Sequence, residues 1–201
     1  MPAGLRALGA SLLAVGAVLA LSGCSFVTGG DAQGSAGDAS AATSPAPDAV
    51  GTARAVGPLK VAAPEYWVVE ATKGGVTHVS AGGCPKGTAC PGFDVVTGRA
   101  ARSGADAVYL PKSATCPGAK ALHAVAVTGG GAATSAPATV AGTDATRSVY
   151  ALSCRDASGK EQYRAAQVQW SVPGAPGGPV LVVDRWAFEG LDARLEAARW
   201  A

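Results

Sequence analysis

Isoleucine and asparagine are absent from the 201 residues, Met1 is the only methionine, and there are just two histidines and three phenylalanines. The motifs that carry most recognisable chemistry are missing too: no G-x-S-x-G, S-x-x-K, H-E-x-x-H or G-x-x-x-x-G-K-[ST] occurs. With no methionine after the first residue there is no thioether for an extracytoplasmic copper carrier. The four cysteines after Cys24 are separated by 5, 25 and 37 residues, which is neither the C-x-x-C spacing of a structural zinc site nor that of a redox pair. Sixteen basic and 14 acidic residues are scattered without a basic run, so the footprint of a nucleic-acid binder is lacking. No metal, cofactor or nucleic acid is expected.

What is present begins at the N-terminus. Met1 to Arg6 carries one charged side chain, and Ala7 to Ala20 is an unbroken run of Ala, Leu, Val, Gly and Ser. Such a run suits the apolar region of a signal peptide and is short for a membrane span. It closes on Leu21-Ser22-Gly23-Cys24, which resembles the lipobox of bacterial lipoprotein precursors. The resemblance covers residues 1–24 and implies a diacylglyceryl group on Cys24 Sγ and cleavage between Gly23 and Cys24. Two acyl chains, at about 0.8 kcal/mol per buried CH2, hold a protein on a bilayer where one does not. The expected location is the extracytoplasmic face of the cell membrane. Missing Ile and Asn, scarce Lys and abundant Ala and Gly follow a high-GC genome, which points to a Gram-positive surface ahead of a periplasm.

Ser25 to Gly57 is rich in Gly, Ala, Ser, Asp and Pro and poor in large apolar side chains, so it cannot bury enough area to offset its ordering entropy. Residues 24–57 read as the lipidated cysteine and a disordered tether, of roughly 30 Å mean end-to-end distance as a flexible coil. Residues 58–201 hold all four Trp and all four Tyr and read as one domain.

Strand signals dominate that domain. Glu65 to Thr72 and Val76 to Ser80 flank Gly74-Gly75, and Ser148 to Arg155 and Lys160 to Trp170 flank Asp156-Ala157-Ser158-Gly159. In the second hairpin Tyr150, Leu152 and Cys154 share a face with Tyr163 and Ala165. The apolar positions then shift to Ala166, Val168 and Trp170, which predicts a bulge near Ala165. Further strands are expected at Ala107 to Leu110, Ala121 to Val127 and Val180 to about Trp186, with loops at Thr128 to Thr146 and Ser171 to Pro179. Phe188, Leu191, Leu195 and Ala198 have helical spacing, with the helix starting at about Leu191. The expected fold is α+β, a mainly antiparallel sheet with a C-terminal helix and two disulfides; an all-β sandwich is the alternative.

Four cysteines in an exported domain read as two disulfides with three possible pairings. Cys84 and Cys90 bracket a loop dense in turn formers, so Cys84–Cys90 and Cys116–Cys154 are the expected pairs, contributing about 2 and 4 kcal/mol in the chain-entropy model. His78 and His123 stand alone on strand-like segments. His78, Asp94 and a nearby Ser such as Ser80 are a conceivable triple, and Glu65, Glu70, Asp94 and Asp106 a conceivable source of paired carboxylates, but solvated strand edges explain all of them. Gly129-Gly130-Gly131 lacks a following helix to cradle a phosphate. Trp67, Trp170, Trp186 and Trp200 read as core ahead of a stacking platform.

Two functions stand open: a non-catalytic module binding a ligand or partner in the cell envelope, and an envelope hydrolase or transferase with an unrecognised site. A cleft that brings a histidine to a carboxylate or hydroxyl favours the second, and an exposed Trp or Tyr cluster the first. In cells fed a radioactive fatty acid, the wild-type chain should carry label and Cys24→Ala should not; label on the variant would refute the anchor.

Overall fold

The computed structural model describes residues 51–201 apart from 86, 87, 128, 130 and 133. The expected signal peptide, Cys24 and the tether as far as residue 50 lie outside the described residues. No described helix is long and apolar enough to cross a membrane.

The described elements run β1 (Thr52–Val56), β2 (Leu59–Ala63), β3 (Trp67–Val69), β4 (Val76–Ala81), β5 (Gly92–Thr97), α1 (Gly98–Ser103), β6 (Thr115–Cys116), β7 (Ala119–Ala126), β8 (Thr134–Val140), β9 (Thr143–Arg155), β10 (Glu161–Val172), β11 (Val180–Asp184), α2 (Leu191–Glu196) and β12 (Arg199–Trp200). They make a nine-stranded sheet, ordered β3-β4-β5-β11-β10-β9-β7-β6, and a three-stranded sheet, β1-β2-β12. Every strand pairing is antiparallel. β9 is long enough for β8 to take the first half of its outer edge and β7 the second.

The β9–β10 hairpin forms around its turn: the Gly159 N–H donates to the Asp156 carbonyl at 2.9 Å, and the Asp156 carboxylate accepts the Ser158 and Lys160 N–H groups. Tyr163 faces Cys154, Ala165 faces Leu152 and Gln167 faces Tyr150. The register irregularity lies between Glu161 and Tyr163, so the bulge expected near Ala165 is misplaced. The apolar positions change phase because β10 is buried on both sides. Val168, Trp170 and Val172 point to one layer, while Gln167 and Gln169, 0% and 1% exposed, point to the other.

The small sheet and α2 form the first layer. Val56, Leu59, Val61, Leu191 and Leu195 pack on Trp67, Phe93, Val95, Trp170 and Val182 of the large sheet. Each such side chain contributes roughly 1.5–3 kcal/mol by leaving water. α2 is fixed by polar bonds as well: Arg194 Nη1 donates to the Ala62 carbonyl at 2.6 Å and Trp170 Nε1 to Asp192 at 3.0 Å. The second layer is thinner, with α1 and residues 104–110 over Val96, Leu181 and Val183.

Four expectations need correction. Residues 52–56 belong to the domain and not to the tether, since β1 pairs along its length with β2 and Val56 is fully buried. β8 and the start of β9 replace part of the loop expected at Thr128 to Thr146. They are joined through Ala141 and Gly142, both at positive φ (51° and 74°), the two-residue turn that matches strand twist. Ala107 to Leu110 is irregular instead of a strand. The C-terminal helix exists but spans six residues before the chain turns into β12, so the domain is sheet-rich and less evenly mixed than an α+β fold implies. Both disulfides are present, Cys84–Cys90 and Cys116–Cys154, the latter tying β6 to β9 across β7.

The irregular segment is held by glutamine amides. Gln169 Nε2 donates to the Gly104 and Ala107 carbonyls at 3.1 and 3.0 Å, its Oε1 accepts the Tyr109 N–H at 2.5 Å, and Gln167 Nε2 donates to the Tyr109 carbonyl at 2.9 Å. Replacing Gln169 by Leu strips three backbone groups of their partner, each costing about 1 kcal/mol or more. Urea unfolding of Gln169→Leu should show a loss of about 3 kcal/mol; a loss under about 1 kcal/mol would mean that other bonds hold the segment.

Candidate functional site

The last residue of β11 and the one after it place two charged side chains in opposite layers. Asp184 pairs with Phe93 and Val168 and shares their face, and Arg185 follows on the other. Asp184 is 3% exposed, and its carboxylate accepts the Trp186 and Phe188 N–H groups, both at 2.8 Å. Burial pushes its carboxyl above the usual range, against the pull of those two donors. The two bonds shape a turn in which Ala187 takes φ 50°, a left-handed conformation that costs an alanine about 1 kcal/mol.

That turn lays Phe188 on the core and leaves Trp186 at the surface, and both line one cleft. Phe188 packs edge-on against Trp67 and Phe93, with ring centroids 5.0 and 5.4 Å away. Trp186 stays half-buried at the surface, where with Tyr66, Ala81, Pro91 and Glu189 it walls a cleft of about 260 Å³. Tyr66 is 60% exposed. The opposite wall is set by the β4–β5 connection, where the Ala81 N–H donates to the Pro91 carbonyl at 2.8 Å and the Gly82 N–H to the Tyr66 carbonyl at 2.6 Å. Cys84–Cys90 closes the loop between.

On the second layer's side, Asp94 joins two cations. His78 Nδ1 lies 2.7 Å from Asp94 Oδ1, and Arg185 Nη2 donates to Asp94 Oδ2 at 2.9 Å. The ring has room because residue 92 is glycine: a Cβ there would stand 3.2 Å from His78 Cε1 and 2.3 Å from the Val79 carbonyl oxygen. The hydrogen bond to Asp94 raises the His78 pKa above 6.5, with burial opposing. Burial alone would raise Asp94, but the bonds from His78 and Arg185 outweigh it and hold the carboxyl below 3.8. Arg185 Nε and Nη1 are buried with no partner among the described residues.

The structure thus brings together His78 and Asp94 from the expected triple, but not Ser80, which lies two residues along β4 without a bond to the ring. None of the described clefts is lined by His78 or Asp94. Asp106 alone among the acids lines a separate cleft of about 480 Å³, beside Ser135, Thr146, Ser148, Ser171 and Tyr150. Glu65, Glu70 and His123 are exposed. A strand, not a helix, follows the glycines at 129 and 131. Among the described residues no three of His, Cys, Asp and Glu gather as a metal group. Trp67 and Trp170 are core, whereas Trp186 lines the cleft, a role that Asp184 and Ala187 create and that hydropathy does not signal. No known protein family, curated protein or solved structure matches the chain.

The pair of shifts fixes a pH dependence. His78, with its folded pKa raised, contributes fully below pH 6.5 and loses that contribution as pH rises through its folded value. Asp94, with its pKa lowered, contributes fully above pH 3.8 and loses it as pH falls through its folded value. Unfolding free energy from this pair should peak between those limits and decline above pH 6.5, by under about 1 kcal/mol because the imidazole is partly exposed. In urea melts at stepped pH, His78→Gln should flatten the decline, and Asp94→Asn should lose about 3 kcal/mol by leaving the Arg185 charge buried alone.

Proposed function

We propose that this chain is a lipoprotein, exported by its signal peptide and anchored through a lipid on Cys24 to the extracytoplasmic face of the cell membrane, and that its domain binds a ligand without transforming it. The binding site is the cleft between Tyr66 and Trp186. One observation carries this reading: an aromatic wall stands open to solvent on a loop whose left-handed Ala187 is enforced by a buried carboxylate. Backbone held out of its preferred region by surrounding bonds is characteristic of ligand clamps. A tether running from Cys24 to the start of β1 would let the cleft sample the space above the bilayer.

The envelope-hydrolase reading has the 2.7 Å His78–Asp94 contact in its favour, since a carboxylate that orients an imidazole is half of a nucleophile-activating set. Against it, the second Asp94 oxygen is occupied by Arg185, and no hydroxyl bonds to His78 among the described residues. The network ties β4, β5 and the end of β11 together, which suffices to explain it.

A library of small envelope-type compounds, screened by ligand-observed NMR against the full chain, separates the two readings. Binders should be lost in Trp186→Leu, retained in His78→Ala, and unchanged in chemical structure after prolonged incubation. Turnover that stops in His78→Ala would overturn the binding reading.

A further inference from the structure

The Tyr66–Trp186 cleft is uneven in what it offers. Its lining includes only three polar side chains, Tyr66, Trp186 and Glu189, and of these Glu189 alone carries a charge. Glu189 is exposed and forms no ion pair among the described residues. The described cations bonded to the walls or adjoining them in sequence are committed elsewhere: Arg54 Nη1 to the Trp67 carbonyl at 2.7 Å, and Arg185 to Asp94 at 2.9 Å. Three aromatic side chains and, among the described residues, one carboxylate without an ion-pair partner are therefore what a ligand meets.

That set discriminates between ligand chemistries. A saccharide brings many hydroxyls, and a wall of Ala81, Pro91, Ala187 and Phe188 leaves most of them without a side-chain partner, at a cost for each one desolvated. A carboxylate or phosphate ligand meets Glu189 as a like charge. A substituted ammonium needs no hydrogen-bond network, since its charge is spread over methyl or methylene groups that rest against aromatic faces, and a nearby carboxylate adds Coulomb attraction. The backbone that carries Trp186 is also set before a ligand arrives, because its N–H donates to the buried Asp184 carboxylate.

We propose that the cleft takes the ammonium end of an amine-bearing ligand, with Tyr66 and Trp186 as the π walls and Glu189 as the counter-charge. The proposal rests on the reading of the domain as a binding module and names the ligand class for that same cleft. No covalent step is involved.

The probes are choline and 3,3-dimethyl-1-butanol, which share a shape and differ in charge, titrated calorimetrically into the full lipidated chain in a non-ionic detergent. Choline should bind roughly tenfold tighter than the neutral isostere, as expected for a cation between aromatic faces. Glu189→Gln should narrow the preference to about threefold, the part the aromatic faces supply, and Trp186→Leu should abolish choline binding, with both variants keeping the wild-type urea midpoint. Equal binding of both probes, lost together in Trp186→Leu, would overturn the ammonium assignment while leaving the cleft as a binding site. Binding of choline that survives Trp186→Leu, or no binding of either probe at millimolar concentration, would overturn the proposal outright.

Discussion

Strand β11 is buried at all five of its residues, and a strand with no solvent face requires a layer on each side of its sheet. That requirement organises the domain. On one side the supply of apolar side chains is ample, and the small sheet with α2 closes over Trp67, Phe93, Trp170 and Val182. On the other, the cluster over β11 is small: Ala101 and the partly buried Ala100, Val76 and Tyr109 accompany Val96, Leu181 and Val183. The deficit is met by polar means. Gln167 and Gln169 project from β10 and bond the backbone of residues 104–109, so that an irregular segment covers the sheet without side chains large enough to do so by packing.

This division explains which parts of the fold the sequence displays. The β9–β10 hairpin was legible because its turn residues and alternating Tyr150, Leu152 and Cys154 act locally, and the disulfide pairs followed from turn-dense spacing. The two-sided burial of β10 was not legible. Gln167 and Gln169 look like the solvent-facing partners of Val168 and Trp170, and only the covering segment, some 60 residues earlier, makes them interior. β1 and β8 were hidden for a related reason: TARAV and TSAPATV carry few apolar side chains and owe their extended form to the ladders of β2 and β9. Of the candidate residues, His78 and Asp94 were visible as chemistry but not as neighbours. The cleft was not visible at all, because Trp186 had the composition of core.

The end of β11 shows how the layers converge on that cleft. Strand alternation sends Asp184 into the apolar layer and Arg185 into the other, and each is bonded there. Asp184 governs the backbone just beyond the strand, while Arg185 is tied through Asp94 to His78 on β4. A loop fixed from both faces of a sheet has little freedom at its root. The His78–Asp94–Arg185 network therefore acts as the far-side anchor of the segment presenting Trp186, which accounts for a histidine and carboxylate in contact that line none of the described clefts.

Ala187 sets the backbone of the proposed binding wall. Glycine at this position would adopt φ 50° without penalty, and alanine does so at about 1 kcal/mol. In exchange, the methyl group narrows the conformations open to the chain, in the unfolded state and in any partly released loop. With Asp184 accepting two hydrogen bonds from the flanking N–H groups, the alternative geometries are disfavoured from both directions, and the backbone at Trp186 is held where it stands. A small cleft offers few contacts, so any ordering on association would consume much of the interaction energy available. In the proposed binding role, a pre-set backbone beneath the aromatic side chains would avoid part of that loss, which is how a shallow cleft gains affinity without more contacts.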